Sequence, residues 1–378
     1  MAEFDLLLTS HFSCAISLLL RSGMNQSHPV SPPEVGPIRP PSEAGSLLIR
    51  ATRNCPWNKC EFCPVYKKDR FEKRPVEDIT RDIDTFTSYG VMYQTAFLQD
   101  ANSLIMKTED LVRVVSHLKN KFPSVHRVTS YARARTVSRK TVEELKKLRE
   151  AGLTRLHIGL ESGYDALLEY MKKGVTSEQA IEAGKKVKEA GISLCFYIIL
   201  GLGGHLKLEG EETWKKHALK TARVLNAVDP DYIRVRTLAV RQGSPLYEKM
   251  MRGEFEKASD AEAVREEELL VKNLDVTSLL VSDHITNVLM DVRGKLPEER
   301  EKMLSIIRDY LGKSEEEKLL HRLETVFAAM GYSPQYLVFN EFFNLKKHKT
   351  MKEVIEEMET CAPGSVKKLL DRLLAQSL

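Results

Sequence analysis

From Ser46 onward the chain alternates short apolar runs with longer amphipathic stretches. The runs at residues 47–52, 95–99, 127–133, 155–160, 193–200 and 232–238 read as strands, and the stretches between them read as helices. Pro75 opens one helix and Thr176 with Gln179 has capping-box spacing, while Gly152 and Gly191 end two others. The segments EELKKLREAGLTRLHIGL and AGKKVKEAGISLCFYIIL share one layout: a helix, then Ala-Gly, then a strand. This repeat predicts βα units and a parallel sheet.

Alternation along the strands assigns their faces. Leu156, Ile158 and Leu160 are expected to meet helices, while His157, Gly159 and Glu161 point the other way. Cys195 with Tyr197, and Arg234 with Arg236, continue that polar face; Arg50 with Thr52 and Tyr131 with Arg133 do so more weakly. Unpaired charges on a buried face cost several kcal/mol each, so a shared polar interior predicts a ligand-filled cavity. Pairing among these side chains, or escape at the strand ends, is the alternative for any one of them.

After Leu238 the pattern turns helical, near residues 259–272, 297–311 and 314–330 and twice more. Before Ser46, the stretch 29–43 holds six prolines and reads as an extended leader. The expected divisions are a leader 1–45, a barrel 46–250 and a helical extension 251–378, with Met24 as an alternative start.

Composition narrows the function classes. With 57 basic against 53 acidic residues the net charge is +4, so nucleic acid is not indicated by charge. Lys346, Lys347, His348 and Lys349 read as a solvated helix face. The apolar run at residues 15–20 is too short to span a membrane, and its basic residue follows it, unlike a signal peptide. No membrane partner is expected. Six cysteines are too few for a disulfide scaffold, and Cys55, Cys60 and Cys63 crowd together while Cys14, Cys195 and Cys361 stand alone. The clustering predicts a reducing, cytoplasmic setting and a metal.

The loop after the first strand reads RNCPWNKCEFCPVY, a C-x4-C-x2-C spacing. Four thiolates are expected of a structural zinc or a fully ligated iron–sulfur cluster, and no fourth is near in sequence. A four-iron cluster held by three cysteines leaves one iron open to a non-protein ligand. Zinc with a distant histidine and a redox C-x-x-C pair stand as alternatives to the cluster, and a zinc-stabilised binding module or a cluster-holding, non-catalytic chaperone stands as the alternative to an enzyme.

The cysteine loop with Phe62, GLESG at Gly159 to Gly163, YIILGLGG at Tyr197 to Gly204, IRVRTLAVRQGSPLY after Tyr232 and the trailing VSDHITN occur in an order that resembles the radical S-adenosylmethionine enzymes. The resemblance covers about residues 46–247. Its usual spacing is C-x3-C-x2-C, so this loop is one residue wider. It implies an α/β fold, a partial (βα)6 TIM-like barrel of parallel strands with a helical C-terminal extension. It also implies a 4Fe-4S cluster on Cys55, Cys60 and Cys63, and S-adenosyl-L-methionine cleaved reductively to a 5′-deoxyadenosyl radical. An oxidoreductase or transferase is expected, with an unidentified, small-molecule-type substrate and a low-potential electron donor such as flavodoxin or ferredoxin.

The same resemblance gives site roles. Phe62, Gln99, Asp100, Arg133, Glu161, Gly201 and Gly203 are the expected cofactor contacts: Glu161 and the Gln99–Asp100 pair as acceptors, Arg133 as a carboxylate clamp, and the glycines, with Gly204, as main-chain seats for adenine. For Glu161 the alternative is a structural salt bridge to Arg133 or Arg236. Arg234, Arg236 and Asn287 are expected to contact an acidic substrate. Asp283 and His284 are candidates for a substrate ligand or proton donor, against a helix-capping turn at Ser282 or Asp283. Cys195 is a candidate hydrogen-atom donor, against plain packing.

Overall fold

The computed structural model describes residues 32–67, 70–330, 351–361 and 364–376. Met24, Cys14, most of the leader and the basic run from Lys346 lie outside these residues. The six expected strands are present as β1 Leu47–Arg50, β4 Thr95–Gln99, β5 Arg127–Ala132, β6 Leu153–Glu161, β7 Ser193–Leu200 and β8 Tyr232–Thr237. A short ribbon pairs β2 Thr52–Arg53 with β3 Glu72–Lys73. Two further strands, β9 Leu279–Val281 and β10 Gly294–Lys295, complete an eight-stranded sheet of order β1-β4-β5-β6-β7-β8-β9-β10. Within this sheet all pairings are parallel except β9 with β10, and among the described residues its two ends do not pair with each other. The protein is thus an α/β chain with a mostly parallel, TIM-like open sheet, flanking helices and a helical extension.

The face assignment follows the alternation. Leu156, Ile158, Leu160, Leu194, Phe196, Ile198, Ile233 and Val235 all belong to the apolar core under the helices. On the opposite face, Tyr131 meets Phe97 at 5.1 Å and His157 at 5.9 Å between ring centroids, and His157 meets Tyr197 at 5.6 Å. Edge-to-face rings therefore fill part of the interior that the polar pattern marked.

Two boundaries differ from the sequence expectation. Glu34 receives Arg50 Nη1 at 2.8 Å and Arg53 Nη2 at 2.7 Å, and Glu43 is fully buried, accepting from Ser46 Oγ at 2.5 Å and Arg127 Nη2 at 3.3 Å. Residues 34–43 are therefore packed, not a free leader: proline spacing describes backbone stiffness and is silent on carboxylates that find arginines far along the chain. At the other end, helix Asp260–Lys272 packs on helix Thr213–Val228 and on β7, so the barrel layer runs past residue 250. Helices Glu315–Ala329, Met351–Cys361 and Ser365–Gln376 build a separate apolar cluster that includes Leu323, Phe327 and Val366. No helix among the described residues is long and apolar enough to cross a membrane.

Candidate active site at the strand ends

In parallel α/β sheets ligands collect beyond the carboxyl ends of the strands. Here those ends carry the cysteine loop after β1, Gln99 and Asp100 at β4, Arg133 at β5, Glu161 at β6, Gly201 at β7 and Arg236 at β8. Cys55, Cys60 and Cys63 are free and half-buried. Left-handed backbone at Asn54 and Asn58, with φ of 68° and 50°, turns the loop at either side of Cys55. The Asn58 N–H points at Cys55 Sγ at 3.4 Å, and Lys67 Nζ donates to the carbonyls of Asn58 at 3.0 Å and Cys60 at 2.8 Å.

The wider spacing is braced from across the site by the turn at residues 171–174. Met171 O accepts the Glu61 N–H at 3.0 Å, Lys172 O accepts Trp57 Nε1 at 2.7 Å, and Lys172 Nζ pairs with Glu61 at 2.5 Å. The Trp57 ring lies so close to Gly174 that a Cβ there would stand 2.3 Å from it, and Gly174 has φ +67°. Gly174→Ala is expected to cost about 2–4 kcal/mol in thermal unfolding. In a Trp57→Ala background, where only the backbone strain remains, the cost falls to about 1 kcal/mol. Equal costs in both backgrounds would refute this contact.

Burial pushes the Cys60 and Cys63 thiols up, and the charges of neighbouring cysteines add to it; beside Cys60, Lys173 and Arg133 pull the other way. All three sulfurs therefore lie within electrostatic reach of one another. A metal bound at the loop would supply the drive for deprotonating Cys60 and Cys63. The donor set is three sulfurs, and among the described residues no group of three His, Cys, Asp or Glu closes around a single ion. A cubane takes each thiolate at a different iron, so a set of three thiols suits it and leaves its fourth iron to another ligand.

At the end of β6 the register with β7 shifts between Gly159 and Glu161, and Glu161 has φ +61°. Its carboxylate meets Lys173 Nζ at 2.6 Å; neither Arg133 nor Arg236 is its partner. Arg133 instead donates Nη2 to Lys173 O at 2.8 Å and lies 5.1 Å from the Trp57 ring centroid, while Lys173 Nζ is 5.8 Å from that of Phe62. Phe62, Arg133 and Glu161 thus come together at the cysteine loop.

Gln99 and Asp100 do not join them as free acceptors. Gln99 exchanges both side-chain hydrogen bonds with the Gly36 backbone, at 2.9 and 3.3 Å. Asp100 is fully buried, holding Arg50 Nε at 2.6 Å and Tyr66 Oη at 3.0 Å. Their capacity is consumed by residues the strand pattern does not reveal. Gly201, φ +69°, gives its N–H to Glu266 Oε1 at 3.2 Å, and a Cβ on Gly203 would reach Thr213 at 2.6 Å. Glu266 also faces His217 Nδ1 at 2.9 Å, whose Nε2 lies 3.2 Å from Glu161 O, so one buried pair ties the ends of β6 and β7.

Asp283 bridges the two arginines of β8, contacting Arg234 and lying 3.0 Å from Arg236 Nη1. Burial would raise its carboxyl, but the two guanidiniums outweigh that and hold it below the ordinary range. Burial and the nearby Arg236 and Arg241 push His284 down to about 3, and its Nδ1 accepts the Thr286 N–H at 3.2 Å. Neither group holds an acidic proton near neutral pH, so the proton-donor role is corrected for both. No helix starts at Ser282 or Asp283 either; the segment is a turn.

Asn287 is also corrected. It accepts the Thr237 N–H at 2.9 Å and donates to Val235 O and Ser282 Oγ, both at 2.9 Å, so it braces β8 and has no side-chain group left for substrate. Cys195 is buried on the inner face, its thiol pushed up to about 12 by burial, in register between His157 and Tyr232. It remains a buried, protonated thiol. Sequence reasoning missed Trp57, Lys173 and the His217–Glu266 pair; only a Lys-Gly step after a short helix hinted at the second.

Residues 49–215 match the Radical SAM superfamily model. Over 122 residues the chain is 26% identical to a tRNA uridine(34) acetyltransferase of Methanocaldococcus jannaschii, covering 32% of this chain and 22% of that protein. Over 289 residues it is 25% identical to a tRNA-2-methylthio-N(6)-dimethylallyladenosine synthase of Syntrophus aciditrophicus, covering 71% and 59%. The chain thus spans less than two thirds of either relative. Among solved structures, methylornithine synthase aligns with a TM-score of 0.45 at 16% identity over 78% of this chain and 84% of that one.

Proposed function

We propose that this chain, whose residues 49–215 match the Radical SAM superfamily model, is an enzyme that generates a 5′-deoxyadenosyl radical for hydrogen abstraction from an anionic substrate. The observation carrying this reading is the joint placement of the three-thiol loop, Phe62, Glu161 and Arg133 at one set of strand ends. Cys55, Cys60 and Cys63 would hold a 4Fe-4S cluster, which supplies a Lewis-acidic iron for the cofactor's amino-acid end and one electron for its sulfonium. The turn at 171–174 fixes the loop, and Glu161 presents a carboxylate to an ammonium or ribose hydroxyl.

Arg234 and Arg236 are shared by one Asp283, which leaves a net positive charge on the inner face. Beside them, Tyr197 Oη and Arg234 Nε are buried with no hydrogen-bond partner among the described residues. Buried polar groups of this kind call for a polar guest, and two guanidiniums favour a carboxylate or phosphate. The reducing electron would come from a low-potential flavodoxin- or ferredoxin-type donor.

The test is anaerobic reconstitution with iron and sulfide, dithionite reduction and addition of S-adenosyl-L-methionine. Formation of 5′-deoxyadenosine is expected. A reduced, cluster-loaded chain that leaves the cofactor intact would refute the reading.

A further inference from the structure

A cleft of about 720 Å³ opens beside the cysteine loop, between it and helix Pro245–Met251. Lys59, Lys67, Lys172 and Lys249 line it, against the carboxylates of Glu61 and Glu248. Arg252, also on the cleft, is matched by Glu254 at 2.6 Å. Glu61 is buried and shared by Lys172 and Lys249, at 2.5 and 3.7 Å. Lys59 Nζ rests 5.1 Å from the Trp57 ring centroid, and neither Lys59 nor Lys67 has a carboxylate partner among the described residues. The cleft therefore carries an excess of positive charge, in a chain whose total is nearly balanced at +4. Met251, next to Arg252 in the chain, is 65% exposed.

The cleft is wired to the thiol loop. Lys67 Nζ, one of its lining groups, donates to the Cys60 carbonyl at 2.8 Å, so one hydrogen bond joins the cleft to the residue that carries the Cys60 sulfur. The Glu61 carbonyl accepts the Leu246 N–H at 2.8 Å, which ties the helix on the other wall to the same loop. Positive charge with an exposed apolar side chain beside it suits an acidic protein surface, and a cleft this close to the thiols suits one that delivers an electron. A phosphate backbone is disfavoured, because Glu61 and Glu248 would face it. We propose that this cleft docks the acidic face of a small one-electron carrier protein of the flavodoxin type, which reduces the cluster from this side. One electron leaves the carrier's reduced flavin and arrives at the cluster, with no bond made or broken. The proposal rests on the reading above that the thiol loop holds a redox-active cluster.

The experiment compares anaerobically reconstituted wild type, a cleft variant carrying Lys59→Glu with Lys249→Glu, and a control carrying Lys146→Glu with Lys147→Glu. The control lysines are exposed on helix Val142–Ala151, outside the cleft. Iron, sulfide and the 5′-deoxyadenosine formed with dithionite are measured first. The same reaction is then driven by fully reduced flavodoxin at limiting concentration, at low and at high salt. The cleft variant is expected to match wild type with dithionite and to fall at least about tenfold with flavodoxin at low salt, the gap closing as salt rises. The control should keep wild-type rates with both reductants. Carbodiimide treatment of wild type with flavodoxin should cross-link Lys59 or Lys249, a readout that needs no variant. Equal flavodoxin-driven rates in wild type and cleft variant, an equal loss in the control, or cross-links confined to lysines outside the cleft overturn the proposal. A cleft variant that loses binding of bulk transfer RNA but keeps its flavodoxin-driven rate assigns the cleft to nucleic acid and also overturns it. A wild type that holds no cluster, or makes no 5′-deoxyadenosine with dithionite, overturns the underlying reading and this proposal with it, and is seen before flavodoxin is added.

Discussion

Replacing Cys60 by alanine is expected to leave a folded chain that holds no cluster and makes no 5′-deoxyadenosine. The residue's backbone carbonyl, which anchors Lys67 and accepts the Cys63 N–H, survives the change. Loss of one half-buried thiol costs the fold about 1 kcal/mol, a few degrees in the melting temperature. Loss of one of three sulfur ligands leaves a cubane held at two corners, which is not retained. Iron, sulfide, visible absorbance and product are the four readouts, with circular dichroism to confirm folding. A Cys60→Ala chain with a full complement of iron and sulfide would show that the ligands were wrongly assigned.

The second large effect concerns a residue away from the thiols. Glu267 sits fully buried on helix Asp260–Lys272, its Oε1 without a hydrogen-bond partner among the described residues, and burial with the neighbouring Glu266 charge pushes it up to about 8. A carboxyl whose folded value is raised binds its proton more tightly in the folded chain. Its stabilising effect is complete below the unfolded value near 4.5 and declines as pH rises toward 8. Between pH 5 and pH 7 the decline is about 1.4 kcal/mol per pH unit at most, and less where water reaches the group. Glu267→Gln removes the titration. Denaturant unfolding should show the variant gaining on wild type by about 1–3 kcal/mol over that range. Parallel pH profiles for the two proteins would contradict the assignment.

The strands and their faces were legible because period-two alternation is set by residues next to one another: His157 inside and Leu156 outside follow from neighbours alone. β9 and β10, of three and two residues, are too short to show a period. Glu34 and Glu43 escaped for a different reason, since the arginines that fix them lie far along the chain. The cysteine loop, Phe62, Arg133 and Glu161 could be read because their chemistry is local to strand ends whose order the chain declares. Gln99, Asp100 and Asn287 could not: whether an amide or carboxylate faces a ligand or a neighbouring backbone is decided by Gly36, Arg50 and Thr237, none of them adjacent in sequence. Lys173 was hidden in the same way, because in KKG it looks like an ordinary solvated lysine and only the fold buries it.

The account depends on three sulfurs binding a cluster whose remaining iron accepts the cofactor. Mössbauer spectroscopy of iron-enriched, anoxically prepared protein, before and after addition of S-adenosyl-L-methionine, tests this most directly. The account predicts about four irons per chain, one of which changes its parameters when the cofactor is added. Zinc without sulfide, or four irons that all ignore the cofactor, would contradict it.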